Sequence, residues 1–539
     1  GMSPYCADTM ERTLSTLLLV ALLGSSAQAQ NYKRPHNQLL DQAKAMLAAE
    51  DYQEAAKLYK RLMPVDTTFV EVYYEYGLCL VNLPGQRDKA VPYLERAVRG
   101  GHTEAHYELA LLCHRAQRFD EAADLLQHYR QLHYRAVKDQ EVDRRIAMAV
   151  TAKELTRRPV DLRIRNMGAS VNSSAHDYCP LVTANGNTMY FTSRREGSMG
   201  RAKDMTGQYY EDIYMAQRVD DVWGTARNVG APLNSLVHDA TVGLDPDGSS
   251  MIIYRTQKDL VSGDLFECRL QGGAWQQPVL MTDKINGKSH EPSASIAPGG
   301  QEIYFTSDRP GGYGGRDLYR IRRLPNGEWS LPLNLGPMVN TPFDEDAPFI
   351  HSDGITLFFS SNGHATMGGY DIFKTTLIDA DMNGWSLPEN MGYPLNTVND
   401  DIYFSLSADG FTGYFSSERP GGLGQQDIYE VIFPGSQLDH LVVRGVVADA
   451  SEEPIKARIL VTDELSEEII GVFNSNERTG RFLLVLHPGQ RYNLTVEAPG
   501  YLVQRSGLKA QLGEDGSNET SMDILLVPSV SLDRLTRNE

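Results

Sequence analysis

Between residues 170 and 430 the chain repeats one phrase five times. An aspartate followed by Ile or Leu and then Tyr or Phe recurs at Asp212, Asp264, Asp317, Asp371 and Asp427, at intervals of 52 to 56 residues. The clearest copy runs Asp344-Glu345-Asp346-Ala347-Pro348, His351-Ser352-Asp353-Gly354, Leu357-Phe358-Phe359-Ser360-Ser361, Asp371-Ile372-Phe373 and then Trp385. A fixed period of this length, made of short aromatic and β-branched runs broken by Gly, Asp and Pro, predicts one β-propeller blade per copy. A propeller is a ring-shaped platform, so the repeat points to binding before it points to chemistry.

A second signature precedes each copy. It reads Asn166-Met167-Gly168 to Asn172, Asn228-Val229-Gly230 to Asn234, Asn334-Leu335-Gly336 to Asn340 and Asn390-Met391-Gly392 to Asn396, with a shortened form at Lys284-Ile285-Asn286-Gly287. Trp223, Trp275, Trp329 and Trp385 stand just upstream of four of these. The first signature has no blade before it and the last blade has no signature after it. The phase predicts that Val160-Asp161-Leu162-Arg163-Ile164 closes the fifth blade, so that both ends of the domain fasten the ring and no sheet edge is left open. Five blades are expected, or six if one is badly degenerate.

Residues 37–157 read as helices. Ala55, Ala90 and Ala122 centre three related phrases and lie 35 and 32 residues apart, close to the period of about 34 residues of tetratricopeptide repeats. Gly77 and Ala110 supply the small side chains that two helices of one hairpin need where they cross. The stretch resembles three such repeats with a capping helix over 134–157. Stacked repeats of this kind form a groove that holds a peptide or a partner helix, or act as a spacer. From about residue 441, short alternating strands such as Ala457–Val461 and Gly480–Leu486 predict a small sandwich.

The expected fold class is therefore multidomain, α plus all-β: a tetratricopeptide helical solenoid, a five-bladed β-propeller and a small β-sandwich. The boundaries are 1–29 for a signal peptide with an upstream extension, 30–158 for the helical repeats, 159–436 for the propeller, 437–528 for the sandwich and 529–539 for a loose tail. Arg12, the run Leu17–Leu23 and Ala27-Gln28-Ala29 form the basic flank, short apolar core and cleavage site of an export signal, with Met10 a plausible start. No later run is long and apolar enough to cross a bilayer, so a soluble, exported protein is expected.

The formal net charge of −19 excludes the basic face that nucleic-acid binding requires. Cys79, Cys113, Cys179 and Cys268 fit neither a metal motif nor a disulfide framework.

The candidate site residues head each blade, in His176-Asp177, His238-Asp239, His290-Glu291, Glu345-Asp346 and Asp400-Asp401. If each precedes an innermost strand, then Asp177, Asp239, Glu291, Asp346 and Asp401 ring one mouth of the channel, where they would attract a cation or a basic peptide. The alternative is that each carboxylate accepts bonds that lock blades together, which even recurrence favours. Arg309 and Arg419, in two Ser-(Asp/Glu)-Arg-Pro-Gly-Gly turns, are expected to pair with nearby acids. Specificity is expected where copies differ, in the long loop from Arg194 to Glu211 or at Lys284–Gly287. No catalytic, metal or cofactor motif is present: His290-Glu291 lacks the second His of a zinc helix, and no Gly-x-Ser-x-Gly occurs.

The blade text, with Ser352-Asp353-Gly354, Leu357–Ser361 and Asp371-Ile372-Phe373, resembles the WD40-like repeat of TolB-type propellers. Residues 441–501, with Gly445 to Val447, Pro488-Gly489-Gln490-Arg491-Tyr492 and Gly500-Tyr501, resemble the carboxypeptidase regulatory-like domain. In this order the three modules resemble PorE-type envelope proteins of Bacteroidetes. The resemblance implies a non-enzymatic periplasmic scaffold peripheral to the outer membrane, whose partners are envelope or type IX secretion proteins. Such proteins typically carry an OmpA-like domain and often a lipidated Cys, which this sequence does not match; an accessory or adaptor role is therefore expected. The competing reading is a periplasmic protein that holds a glycan, a peptidoglycan fragment or a cation at the propeller mouth.

Overall fold

The computed structural model describes residues 34–183, 186–204, 206–379, 382–434, 441–512 and 519–529. The expected export signal, with Cys6 and Met10, and all but the first residue of the expected tail lie outside them. The chain divides into two compact units between Arg158 and Pro159.

The first unit is helical. Its helices are α1 (Arg34–Ala48), α2 (Tyr52–Leu62), α3 (Val70–Asn82), α4 (Val91–Arg99), α5 (Thr103–Arg115), α6 (Phe119–Gln131) and α7 (Asp139–Arg157), each packed on the next. Asp51 starts α2 by accepting the Glu54 amide at 3.1 Å, which satisfies an otherwise orphaned donor. Ala55, Ala90 and Ala122 are fully buried. At Gly77 a Cβ would lie 2.7 Å from a Leu94 methyl, so a larger residue at the close crossing of α3 and α4 would force Leu94 to move. Among the described residues no helix is long and apolar enough to cross a membrane.

The second unit begins with five antiparallel sheets, one per sequence copy. Their innermost strands are Asp177–Val182, Asp239–Leu244, Ala294–Ile296, Glu345–Ile350 and Asp401–Leu406. Each neighbours the next, and the last neighbours the first. Five hydrophobic cores lie between successive sheets. The core between the fifth and first joins Tyr414 and Ile428 to Met189, Phe191 and Trp223, so the ring is closed and propeller-like. The tryptophans stitch it: Trp223 packs edge-on against Tyr414, Trp275 against Tyr190 and Trp385 against Tyr304, each reaching the preceding sheet.

Closure comes from the expected region, displaced by three residues. Arg163–Asn166 pairs antiparallel with Asp427–Ile432, in the register Arg163 to Ile432 and Asn166 to Tyr429. The shift follows from side-chain chemistry. Asn166 must reach the Asp427 carboxylate, at 2.8 Å, while Leu162 and Ile164 pack on the core of Phe415, Tyr429 and Val431. Val160 instead donates its amide to Tyr393 at 2.7 Å, at the joint after the fourth sheet.

The remaining strands form two facing sheets. One contains Arg481–Leu486 and Leu441–Ala448, with Glu519–Ser521 and Ile524–Leu525; the other contains Ile469–Asn474, Arg458–Asp463, Arg491–Glu497 and Gln504–Lys509. Val443, Ile459, Val461, Leu484, Tyr492, Leu494 and Val496 fill the space between them. Arg491–Glu497 alternates buried and open positions, as a half-covered strand should. Arg481–Leu486 is buried at every position after Arg481, because its second face is also covered: Leu483 and Val485, with Val442, pack on Ala408 in the inner turn of the fifth sheet. Each such side chain contributes about 1.5–3 kcal/mol when fully buried.

Candidate functional site in the ring of sheets

The acids at the head of each sheet are clamps. Asp177, Asp239 and Asp401 are completely buried. Each accepts the backbone amide and hydroxyl of the residue four positions earlier: Ser173 at 2.6 and 2.7 Å, Ser235 at 2.6 and 2.7 Å, and Thr397 at 2.6 and 2.8 Å. An arginine at the end of the second strand completes each clamp. Arg195 meets Asp177 at 2.5 Å, Arg419 meets Asp401 at 2.7 Å, and Arg255 pairs with Asp239. Glu291 accepts from Ser307 at 2.7 Å and Arg309 at 3.3 Å.

The same guanidinium groups reach the joint entering the sheet, donating to the carbonyls of Val171, Leu233, Ile285 and Leu395 at 2.6, 2.9, 3.0 and 2.8 Å. Arg195, Arg309 and Arg419 each lie about 5 Å from two aromatic rings, Arg419 between Phe415 and Tyr429. Charge-assisted bonds held out of water in this way are strong and geometrically exacting.

One expected member of the acidic ring is misplaced. The fourth clamp acid is Glu345, not Asp346. Glu345 stands opposite Ser361 as Asp177 stands opposite Ser193 and Asp401 opposite Ser417. It accepts the Thr341 amide and hydroxyl, both at 2.7 Å. Side chains alternate along a strand, so the next residue faces the other way: Asp346 takes the Ser293 hydroxyl at 2.5 Å and lies 3.2 Å from Arg316, both on the third sheet. The spacing contains the correct answer. Each clamp acid follows the last Asn of its signature by five residues, as in Asn172 to Asp177, Asn340 to Glu345 and Asn396 to Asp401.

At the fourth sheet Gly363 stands in the place of the arginine, and the Nε2 of His364 beside it donates to the Val339 carbonyl at 2.7 Å but does not neutralise the acid. Burial pushes the Glu345 carboxyl up to about 7, against the opposing pull of Thr341 and Ser361. Its folded state therefore holds a proton that the unfolded chain, titrating near 4.5, has already released. The contribution of this group to stability falls as pH rises from about 4.5 to about 7. We expect Glu345→Gln to flatten this decline and to be the more stable form at pH 8, measured by chemical denaturation across pH 4–8. A parallel decline in both proteins would count against the assignment.

The signature asparagines and the triplet aspartates form a second lattice. Asn172, Asn234, Asn340 and Asn396 each accept the amide of the residue after the triplet aspartate, at 2.8 to 2.9 Å. Asn166, Asn228, Asn334 and Asn390 donate to Asp427, Asp212, Asp317 and Asp371 at 2.6 to 2.8 Å. The intervening turn needs a residue in the left-handed region, which Gly168, Gly230, Gly336 and Gly392 provide at φ +68° to +87°. In the shortened joint Asn286 alone bonds Leu265, at 2.8 and 2.9 Å.

The long loop from Arg194 to Glu211 is also tied down. Arg194 is buried against Asp204 and donates to the Tyr209 carbonyl at 3.1 Å. Although burial opposes it, His238 and Arg194 hold the Glu211 carboxyl down to about 2, and Tyr178 donates to it at 2.5 Å. All four described cysteines are buried and free, and burial pushes the Cys179 thiol up to about 12, which suppresses its nucleophilicity.

What sequence reasoning missed is which residues line the channel. A cavity of about 570 Å³ is lined by all five innermost strands, from Cys179 to Val182, Val242 to Leu244, Ser293 to Ile296, Ala347 to Ile350 and Tyr403 to Leu406. None of the five expected acids lines it. Val442, Arg444 and Glu519 of the facing sheets close one end, and Thr479 holds that end by donating to Asp247 at 2.9 Å. Among the described residues no group of three or more His, Cys, Asp or Glu is placed to hold a metal ion.

A tetratricopeptide-repeat family model matches residues 85–133. No curated protein matches the chain. Among solved structures, the chain is similar to an α-L-arabinofuranosidase from Lactobacillus brevis at 13% identity, over 47% of this chain and 90% of that one, with a TM-score of 0.31. A glycosyl hydrolase from Bacteroides ovatus matches at 10% identity, over 49% and 85%, with a TM-score of 0.32. A 3-chlorocatechol 1,2-dioxygenase from Rhodococcus opacus 1CP matches at 16% identity, over 17% of this chain, with a TM-score of 0.14; the chain spans 60% of its length. Likeness this low carries no argument about activity. The chain is a multidomain protein with an N-terminal tetratricopeptide-repeat region followed by a large β-rich, propeller-like region.

Proposed function

We propose that this protein is a non-enzymatic periplasmic scaffold or adaptor of the PorE-like type, built from tetratricopeptide repeats, a five-bladed β-propeller and a carboxypeptidase regulatory-like sandwich. Its partners are other envelope proteins, with the type IX secretion or outer-membrane machinery the favoured setting, and the helical groove is a second place for a peptide. The observation that carries this reading is the outer rim of the ring. Large apolar side chains stand open there on four sheets: Val222 at 68%, Val279 at 66%, Leu331 at 74% and Leu387 at 73% exposure. Each of these sheets exposes a second large apolar residue, at Val219, Leu280, Leu333 and Ile378, and grouped apolar exposure suits protein contact. The recurring acids, by contrast, are spent in clamps, which removes the support for a cation or glycan at their mouth of the channel.

Cross-linking mass spectrometry in intact cells tests the proposal. Links from envelope or secretion proteins to the outer strands or to α1–α7 are expected. The pair Leu331→Lys and Leu387→Lys should lower recovery of those partners at least tenfold without moving the unfolding midpoint. Recovery of no envelope protein, or undiminished recovery by the folded variant, would sink it.

A further inference from the structure

We infer that the channel is a binding site for one small amphiphile, whose apolar body lies among the five innermost strands and whose polar head stays beneath the facing sheets. The site is distinct from any surface used for protein contact, and the inference does not rest on the scaffold reading. The volume of about 570 Å³ falls within the range of roughly 300–1,000 Å³ typical of small-molecule pockets. Its chemistry is graded along the axis. Over the length of the inner strands the lining is uncharged, with Leu181, Val242, Ile296, Phe349 and Phe404 prominent. The three serine hydroxyls among them are already engaged: Ser295 accepts the Ile350 amide at 3.1 Å, Ser405 faces the Pro180 carbonyl at 3.4 Å, and Ser293 bonds Thr306 and Asp346. With these hydroxyls engaged and no charge along this stretch, the wall offers contact to the uncharged body of a guest.

Charge appears only at the covered end, where Arg218, Asp409, Arg444 and Glu519 line the cavity. Arg444 and Glu519 form an ion pair with side chains 32% and 51% exposed, so a polar head there keeps its hydration while the body is buried.

The backbone carries a second, independent mark of the site. Three lining residues that are not glycine adopt the left-handed conformation: Cys179 at φ +53°, Ala347 at +48° and Tyr403 at +60°. Each sits where its strand's ladder slips, between Tyr178 and Leu181, between Asp346 and Phe349, and between Ile402 and Ser405. Such conformations are unfavourable for non-glycine residues and collect at ligand sites, and bulges re-aim side chains there. The second inner strand carries the same slip, between Thr241 and Gly243.

The test uses the whole protein and the amphiphilic fluorophore 1-anilinonaphthalene-8-sulfonate. One saturable site per folded chain is expected. Ala294→Trp and Ile296→Trp each enlarge a residue of the lining, and each should weaken binding at least tenfold while retaining a cooperative thermal transition. Arg444→Gln should weaken binding several-fold without changing the stoichiometry. Absence of a saturable site in the unaltered protein overturns the inference whether or not either tryptophan variant folds. Unchanged affinity in a folded tryptophan variant, which would place the dye elsewhere, overturns it as well.

Discussion

Asp401→Ala is expected to lower the stability of the ring by about 3–5 kcal/mol, because it strands a buried guanidinium. The carboxylate is fully buried and receives Arg419 at 2.7 Å together with the amide and hydroxyl of Thr397. With it gone, Arg419 keeps its bonds to Pro394 and Leu395 but loses its counter-charge among Phe415 and Tyr429. At about 2.1 cal/mol/K of unfolding entropy per residue, a unit of this size shifts by about 1–2 °C for each kcal/mol, so calorimetry should record a fall of about 5 °C. Asp177→Ala should behave alike, since Arg195 replaces Arg419 in the same geometry. The double variant Asp401→Ala, Arg419→Met should be less destabilised than the sum of the single changes, with a coupling of at least about 1 kcal/mol. Strict additivity, or a change in ligand affinity with no change in midpoint, would return these acids to the role of a binding ring.

The second large effect concerns closure. Two chains should be compared, one beginning at Pro159 and the other at Met167. The shorter lacks Arg163–Asn166, and with it the pairing to Asp427–Ile432, the packing of Leu162 and Ile164, and the Asn166 bond to Asp427. It retains Asn172, which continues to cap Ile428, so the ladder is the element under test. An open strand edge is a template for association. The shorter chain should therefore lose its cooperative transition and elute as oligomers, and a peptide of residues 159–168 added in excess should restore the monomer. An unchanged midpoint in the shorter chain would mean that the core between the fifth and first sheets closes the ring unaided.

Much of this architecture was legible because repetition removes ambiguity. The Asp-(Ile/Leu)-(Tyr/Phe) period predicted five sheets, and its phase against the Asn-x-Gly signature predicted that the ends meet. The displacement of the closing strand from 160–164 to Arg163–Asn166 was not legible. Register is set by which side chains find partners, and Asn166 finds Asp427 only after folding. Asp346 was mistaken for the clamp acid because three acids stand in a row at 344–346. Pattern alone does not say which of them faces the joint, although the constant interval of five residues from Asn340 does.

The sequence by itself determined the modules, their order, the number of sheets and the residues that recur in every clamp. Those properties are written in local spacing and in side-chain type. Only the tertiary structure decided which acids face the joints, what covers the second face of Arg481–Leu486, and that a cavity runs between the inner strands with charge at one end alone. The physical reason is that a channel is bounded by residues from five separate copies, more than 50 residues apart in each case, and no single copy contains its shape. The repeat specifies how each sheet is held to its neighbour, and the space they enclose exists only once all five are in place.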